Sequence, residues 1–455
     1  MRRLLTWLWM VAVLCPVACA QVRVAGRVTN ENNLPVAGAR VVVGDIPATR
    51  NWEAISDPTG SFRLQLPAAG QYSLKVDREG FYVVSQPLVA VPENPPDATP
   101  FEVHISLQSI HEIRSSIDVK GEVGLTDMDR VTPQTTLSSR TLYDVPFPNQ
   151  NSLRSGLRMI PGVVQDTTGG IHLFGGSEDQ AQYSFEGFQL NDPLTGRFDA
   201  RMSVEAVESV DVQPSPSDAD MGRGDAGDML LHARTGTDAF RFSATEVFPG
   251  IELGTGLRFS NWTPRAYISG PWRKGRAWFF NTSELQFVRA TVTQLPANQN
   301  SSISWRFNDL LHSQFNLSEN NILFVGLLFD FQYTPYGGLT NLDPRQTTTR
   351  RESNQWFGYV KDQHSFSHSS MIEFGFAASL THSTAQPQGD APYLVTPDGR
   401  DGNYFANARR DAQRFQGIVD YYLPAFHFWG EHQLKTGGDM VRLDYQQNIT
   451  RTAID

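Results

Sequence analysis

The stretch that decides the fold is "ILFVGLLFDFQY", Ile322 to Tyr333. Its odd-numbered and even-numbered residues form two different faces, one apolar and one that becomes polar toward its end. The apolar face consists of Leu323, Val325, Leu327, Phe329, Phe331 and Tyr333. The other face consists of Phe324, Gly326, Leu328, Asp330 and Gln332. A period of two is typical of a β-strand and not of a helix. The stretch is too short for a membrane helix but close to a tilted barrel strand of about 9 to 11 residues.

Three later segments repeat this alternation. They are "MIEFGFAASLTHS", "RFQGIVDYYLP" and "MVRLDYQ", with Phe374, Val419 and Leu443 as typical members of their apolar faces. Short turns, at 318–321 and 367–370, alternate with long polar connections, at 334–351 and 385–410. Large apolar faces opposite charged ones, with short and long connections in turn, indicate a membrane barrel with one side in hydrocarbon and the other facing a wet lumen. A soluble β-propeller or jelly roll also alternates and stays an alternative.

The N-terminus has the pattern of an export signal. Arg2 and Arg3 precede an apolar run from Leu4 to Val17, and Ala18-Cys19-Ala20 is a small-residue cleavage site. We therefore predict a signal peptide over residues 1–20. Cys19 as a lipid attachment site is the alternative, although Pro16 fits that poorly. A membrane anchor needs about 20 apolar residues, and this run is shorter.

Composition and charge narrow the class of function. The chain has 28 Phe, 13 Tyr, 9 Trp, 37 Gly and 27 Pro, which favours strands and turns. Both of its cysteines, Cys15 and Cys19, lie in the predicted signal, so we expect neither disulfides nor thiolate chemistry after cleavage. The net charge of −10 argues against a nucleic-acid partner, and we expect none. No metalloprotease, nucleophile-elbow or Walker motif is present, and we expect no catalytic residue, no metal site and no cofactor.

Residues 22–108 read as short strands joined by turns and predict a small β-sandwich, with a hairpin around Pro58 and Gly60. This segment resembles the carboxypeptidase regulatory-like (transthyretin-like) domain. The resemblance is carried by Gly26, Pro35, Gly38, Ala39, Asp57, Gly60, Phe62, Gly70, Tyr72, Leu74, Gly80 and Phe81. Any other small sandwich is the alternative. No His-x-x-Glu pair is present to begin a peptidase zinc site.

Residues 132–237 predict a compact α+β unit. Leu153, Leu157 and Ile160 fit one helical face that stops at Pro161-Gly162, and strands follow. The unit resembles the plug domain of TonB-dependent outer-membrane receptors. The matching positions, in chain order, are Pro161, Gly162 and Val163, then Gly175 and Gly176, then Glu186 and Gly187, then Val207, Val210 and Val212, and finally Gly222 and Gly227. Departures from the family pattern are Gly175 in place of Arg and Glu186 in place of Asp, so the resemblance supports the fold more than active transport.

The linker 109–131 lies where the family carries its TonB box, a short extended segment that adds a strand to a periplasmic partner. The best match is Ile117, Asp118, Val119 and Lys120. An ordinary linker strand is an equally good interpretation of these residues.

Residues 238–455 resemble the first part of the receptor barrel, with Gly270-Pro271 as a turn and Trp278, Phe279 and Phe280 as interfacial aromatics. A barrel wide enough for a plug has about 22 strands. The residues after the plug have room for roughly ten strands of membrane-spanning length. We therefore expect the chain to be truncated within the barrel.

The predicted fold class is thus mainly β: a small β-sandwich, then an α+β plug, then part of an antiparallel transmembrane β-barrel. The resemblance implies an outer-membrane receptor that takes up a small ligand without catalysis. Its implied partners are an inner-membrane TonB-type protein, the outer-membrane bilayer and an unknown small ligand such as an iron chelate, an oligosaccharide or a peptide. A soluble or surface-attached β-rich binding or adhesion protein is the alternative, and an exported peptidase accessory chain is a third, weaker one.

Overall fold

The structure is a computed structural model, and it describes residues 22–45, 50–92, 100–109, 134–144, 153–166, 169–198, 200–215, 225–252, 258–259, 261–367, 370–424, 426–427, 431–432 and 434–454. The chain divides into two compact units, Met1–Ser109 and Ile110–Asp455. Among the described residues, no helix has the length and apolar character needed to cross a bilayer.

The first unit is a sandwich of two sheets. Its seven strands are β1 (Val22–Asn30), β2 (Arg40–Asp45), β3 (Asn51–Ile55), β4 (Ser61–Leu66), β5 (Gly70–Asp77), β6 (Val84–Val91) and β7 (Phe101–Leu107). One sheet has the order β4-β1-β7 and the other β3-β2-β5-β6. Val28, Val41, Val76 and Leu107 are fully buried between the two sheets. Alternate apolar residues from both sheets therefore form the core, as the sequence predicts.

The predicted hairpin around Pro58 and Gly60 is wrong. Strand β3 pairs with β2 and strand β4 with β1, so the turn crosses from one sheet to the other. Asp57 holds the turn, because its Oδ1 accepts hydrogen bonds from the N–H groups of Thr59 and Ser61 at 2.9 and 2.8 Å. Gly60 has φ +76°, and a Cβ there would lie 2.4 Å from the Val28 carbonyl oxygen. Turn residues predict where a chain reverses, but not which strands then pair.

The second unit begins with a small α+β body. Its elements are β8 (Thr135–Ser138), α1 (Ser139–Asp144), α2 (Leu153–Leu157), β9 (Val163–Gln165), β10 (Ile171–Leu173), β11 (Ala181–Phe185), β12 (Phe188–Gln189), β13 (Val207–Pro214) and β14 (Gly227–Ala233). Five of these strands form one sheet in the order β12-β11-β14-β13-β8. Its buried residues include Tyr183, Phe185, Val210 and Leu231, all fully buried. We call this body the plug.

After the plug the chain forms one large antiparallel sheet of nine strands, in the order β15-β18-β19-β20-β21-β22-β23-β26-β29. These strands are β15 (Arg241–Thr245), β18 (Arg265–Arg273), β19 (Ala277–Thr291), β20 (Ser301–Ser318), β21 (Asn321–Gly337), β22 (Thr349–Ser367), β23 (Ser370–Pro387), β26 (Ala406–Tyr422) and β29 (Lys435–Arg451). The two-residue or three-residue strands β16 (Ile251–Glu252), β17 (Arg258–Phe259), β24 (Leu394–Thr396), β25 (Gly399–Asp401), β27 (Phe426–His427) and β28 (Glu431–His432) pair outside it. We call it the wall.

The two faces of the wall differ as the opening stretch predicts. On β21, Val325 and Leu327 are 36% and 44% exposed, whereas Phe324 and Leu328 are 3% and 1% exposed. On β23, Phe374 and Phe376 are exposed while Ala377 and Ser379 are buried. The buried face lies against the plug. The opposite, apolar face has the character of a surface that contacts hydrocarbon.

Strand β29 departs from the prediction. The apolar face predicted for "MVRLDYQ", of which Leu443 is a member, should lie on the hydrocarbon side, but Leu443 pairs with Arg414, and Val441 with Gln416. Arg414 and Gln416 are buried on the plug side, so Leu443 and Val441 lie on the inner face. Alternation predicts that a strand has two faces, but the register with its neighbour decides which face is outside.

The connections agree with the predicted asymmetry. Residues 319–320 join β20 to β21 and residues 368–369 lie between β22 and β23, whereas 338–348 and 388–405 join the opposite strand ends. The long connections are shorter than we expected because the strands continue into them. We call their side of the wall the long-loop end.

The segment 264–280 corrects two expectations. Gly270 and Pro271 lie inside β18 and not in a turn. Phe279 and Phe280 are 9% and 1% exposed, so they are not interfacial. The chain between plug and wall covers them, because the Arg234 guanidinium lies 5.7 Å from the centroid of the Phe280 ring and Phe240 packs on Phe279. Trp278, also buried, donates its Nε1–H to Asp238 at 2.7 Å.

Candidate functional site

The predicted plug turn at Pro161-Gly162-Val163 follows α2, whose Leu153 and Leu157 are buried in the plug core. Gly162 has φ +86°, and a Cβ there would lie 2.4 Å from the Phe174 ring. Val163 is buried and begins β9. Only glycine therefore fits the turn in its present form, since both the backbone angle and the approach of Phe174 exclude a side chain.

Phe174 brings the separated glycines of the motif together. It has φ +46° and is followed by Gly175 at φ +85°. Its ring also approaches Gly227, where a Cβ would lie 3.1 Å from it and 2.5 Å from the Gln213 carbonyl oxygen. A Cβ at Gly176 would lie 2.3 Å from the Ala226 side chain. Gly222 lies outside the described residues.

Glu186 and Gly187 form the two-residue turn of the β11–β12 hairpin, with φ +53° and +91°. Positive φ at both positions is the geometry of the tight hairpin turn in which Asp-Gly and Asn-Gly are common. A longer side chain such as that of Glu is less favourable in this backbone conformation than Asp or Asn. The Glu186 carboxylate is fully engaged. Its Oε1 accepts the Ala233 N–H at 2.7 Å, and its Oε2 lies 3.2 Å from the Lys361 ammonium on the wall.

Lys361 is the wall's partner for this turn. Its Nζ also donates to the Glu186 carbonyl oxygen at 3.1 Å and lies 3.8 Å from Glu373 Oε1. Glu373 in turn accepts a hydrogen bond from Gln363 at 2.7 Å. The Lys361 Nζ also lies 5.5 Å from the centroid of the Phe324 ring, and Phe188 of the plug lies 5.5 Å from Tyr359 of the wall between ring centroids. Buried charges of this kind are stable only when each has its partner.

The charge of Lys361 controls the ionisation of the plug carboxylate. Burial on its own raises the pKa of Glu186, but Lys361, the His312 and His232 imidazoles and the Ala233 N–H outweigh burial and lower the pKa to about 2. Glu186 is therefore ionised at any physiological pH.

A second group of ties holds the other side of the plug. Arg201 donates its Nε–H to Glu284 Oε1 at 2.7 Å and an Nη1–H to Gln286 at 2.9 Å. In a second ion pair the charges are exchanged, because Arg265 of the wall supplies the cation and lies 3.5 Å from Glu205 of the plug. Plug and wall thus exchange charges of both signs.

A third group connects the plug to β26. Arg414 donates an Nη1–H to the Gln189 carbonyl oxygen at 3.0 Å, and the Gln189 N–H donates to Gln416 at 2.9 Å. Arg410 donates an Nη2–H to Asp192 Oδ2 at 2.7 Å. These contacts are closest to the long-loop end of the wall.

The structure places most of the plug motif, but not the predicted partner segment. Gly162, Phe174 and Gly227 meet in the plug, while Glu186 lies at the wall. Ile117, Asp118, Val119 and Lys120 lie outside the described residues. Lys361, Arg410 and Arg414 were not predicted. The one available signal was that each of these charged residues alternates, along its strand, with the apolar residues of the outer face. Within the described ranges no cluster of three His, Cys, Asp or Glu side chains is arranged to hold a metal ion.

Parts of this chain resemble known proteins. Residues 23–106 match the carboxypeptidase regulatory-like domain. The solved outer-membrane transporter YddB from Escherichia coli superposes with a TM-score of 0.54 at 11% identity, covering 69% of this chain and 48% of that one. The siderophore receptor PirA from Acinetobacter baumannii gives 0.51 at 15% identity, covering 68% and 47%.

Plug and wall have the fold of the TonB-dependent outer-membrane receptors.

A curated relative points the same way. The TonB-dependent transporter Oar of Myxococcus xanthus is 21% identical over 296 residues, which is 60% of this chain and 27% of that protein. The chain thus spans between about a quarter and a half of the length of the relatives it matches. The predicted fold class is confirmed, including the barrel-type sheet and the plug.

The Glu186–Lys361 pair predicts strong coupling between two substitutions. Lys361→Met leaves Glu186 buried without its cation, and we expect a loss of about 3 to 5 kcal/mol in the free energy of unfolding. Glu186→Gln combined with Lys361→Met removes both charges, while Glu373 keeps its Gln363 hydrogen bond, so the double variant should recover most of the loss. Urea unfolding in detergent micelles measures the free energy of unfolding of the unmodified chain and of both variants.

Lys435→Met is the matched control, because Lys435 pairs with Asp420 at a more exposed position and its removal should cost about 1 kcal/mol or less. Equal losses for Lys361→Met and Lys435→Met would contradict the role assigned to the buried pair.

The pKa of Glu186 predicts how the plug responds to acid. The folded-state pKa of about 2 lies below the ordinary value of 4.5, so the stabilisation by Glu186 is complete above about pH 4.5 and is lost as the pH falls toward 2. We expect the thermal midpoints of the unmodified chain and of Glu186→Gln to differ by a constant amount at neutral pH. The two should converge as the pH approaches 2. A difference that stays unchanged across this range would show that Glu186 does not titrate as described.

Proposed function

We propose that this chain belongs to an outer-membrane receptor that binds a small ligand and moves it inward by TonB-type energy coupling. One observation carries the proposal. The plug is held by buried charge pairs on the inner face of a sheet whose outer face is apolar and exposed. A plug that must stay folded while its contacts with the wall change is the expected architecture of a gated passage.

The segments divide the work. Residues 1–20 would direct export, 22–108 form the carboxypeptidase regulatory-like sandwich on the periplasmic side, 132–237 form the plug and 238–455 the N-terminal part of the barrel. The linker 109–131 would carry the contact segment, so that force applied to it reaches the plug directly at β8.

The partner would engage an extended strand at Ile117, Asp118, Val119 and Lys120. Backbone hydrogen bonds of an added strand provide affinity without demanding much of the side chains, which suits a partner shared by several receptors. An inner-membrane TonB-type protein is the partner of this chemistry.

The ligand would enter from the long-loop end and meet the plug beside β26. The relative PirA is described as a siderophore receptor and YddB as an outer-membrane transporter. Iron chelates, oligosaccharides and peptides are all compatible with this architecture. The relatives are transporters and receptors rather than enzymes, and we propose that this chain likewise makes and breaks no covalent bond.

Cross-linking in isolated outer membranes tests the proposal. Val119→Cys should form a disulfide with a cysteine placed in the strand-pairing region of the TonB-type protein, because paired strands bring Cβ atoms within about 4.5 to 5.5 Å. Adding Ile117→Pro should abolish the cross-link, since proline removes a backbone donor from the added strand.

Glu102→Cys, on an exposed position of the sandwich, is the control and should not cross-link. Recovery of the chain in the periplasmic fraction without detergent would overturn the proposal in favour of a soluble binding protein. Cross-linking that is equally strong at residues 102 and 119 would also count against it.

A further inference from the structure

A pocket of about 360 Å³ lies on the inner face of the wall, at its long-loop end. It is bordered by β21, β22, β23, β26 and β29. Its lining includes Gln332, Arg351, Ser353, Ser383, Arg410 and Gln447. Because Arg410 also contacts the plug through Asp192, the pocket and the plug share one side chain.

The strand register explains the chemistry of this pocket. Gln332 pairs with Ser353, Ser353 with Ser383, and Ser383 with Arg410. Arg410 pairs with Gln447. Side chains of one cross-strand row point to the same face at spacings of about 5 Å. The row therefore presents amide and hydroxyl groups that end beside a guanidinium.

The neighbouring row makes the space. Arg351 pairs with Ala385, and Ala385 pairs with Ala408. Two adjacent alanines leave a recess between longer side chains, with Arg351 on its rim. Three further residues border the pocket but belong to a row on the opposite face: Glu352, Thr384 and Arg409. Glu352 pairs with Tyr333 and Thr384, and Thr384 pairs with Arg409.

The two arginines give the recess a positive balance. Arg351 donates its Nε–H to Thr349 Oγ1 at 3.0 Å, and no carboxylate of the described residues pairs with it. Arg410 gives one Nη2–H to Asp192, while its buried Nε–H has no hydrogen-bond partner among the described residues. A buried guanidinium N–H without an acceptor is costly, and the planar guanidinium group binds a carboxylate through two parallel hydrogen bonds.

We propose that this pocket binds a small dicarboxylate, with one carboxylate on Arg351 and the other on Arg410. This inference rests on the proposed function and names the chemical class of its ligand. Arg351 and Arg410 lie two strands and one row apart, so about 12 Å separates their backbones, and a four-carbon or five-carbon diacid spans the gap between their guanidinium groups.

Binding at Arg410 also bears on the plug. Asp192 Oδ1 is occupied within its own loop, where it accepts the N–H groups of Leu194 and Thr195 at 3.0 and 2.8 Å. Only Oδ2 reaches the wall. A ligand carboxylate that binds the edge of Arg410 formed by Nε and Nη2 competes with Asp192 for the Nη2–H, and its binding loosens this plug–wall contact without unfolding the loop.

Equilibrium binding of radiolabelled succinate and glutarate to the detergent-solubilised chain tests the inference. Arg351→Gln should weaken binding by about tenfold or more, the loss expected for a charge-assisted hydrogen bond. Asp192→Asn should tighten binding several-fold, because it removes the internal competitor. A merely structural role for Asp192 would not produce tighter binding.

Arg350→Gln is the matched control, because Arg350 is adjacent in sequence, lies on the opposite face and bonds to Gln386. It should leave affinity unchanged, and the neutral diamide succinamide should not compete. Equal effects of the two arginine variants, competition by succinamide, or no binding of either diacid would overturn the inference. The cross-link at Val119 does not depend on the diacid, so its survival in that case would leave the proposed function standing.

Discussion

The rest of this structure depends on one constraint: the two faces of the wall meet different surroundings, hydrocarbon outside and water or protein inside. A strand whose outer side chains contact hydrocarbon must carry its charges on the inner face, where water or protein partners neutralise them. Strand β21 follows this rule, with Leu327 outside and Asp330 inside, bound to Arg306 at 2.8 Å. The inner face becomes a polar surface to which a separate body can attach.

The plug uses that surface through charges that need partners. Glu186 occupies a backbone conformation that disfavours its side chain, and it is held there by Lys361 and the Ala233 N–H. Arg201 and Glu205 are matched in the same way by Glu284 and Arg265. Such contacts specify one position of the plug but become unfavourable when a single partner leaves.

Much of the fold was predictable from local pattern, and the exceptions share a cause. Parity predicted the two faces of β21 and β23, and the glycines at positions 162 and 187 marked turns that require positive φ. Parity failed at Leu443, and turn chemistry failed at Gly60, because both depend on which strand pairs with which. Trp278, Phe279 and Phe280 looked like membrane aromatics, but a distant segment covers them. Lys361 and Arg410 gain their meaning only from plug residues more than a hundred positions away.

Spin-label accessibility along β21 tests the central claim most directly. With a nitroxide placed at single cysteines from Ile322 to Phe331 in lipid vesicles, this account predicts that labels at Val325, Leu327 and Phe329 collide with lipid-soluble oxygen and not with a water-soluble nickel chelate. Labels at Phe324 and Leu328 should be shielded from both. If the odd positions are shielded as well, or are reached by the nickel chelate, then the outer face does not contact lipid and the account is wrong.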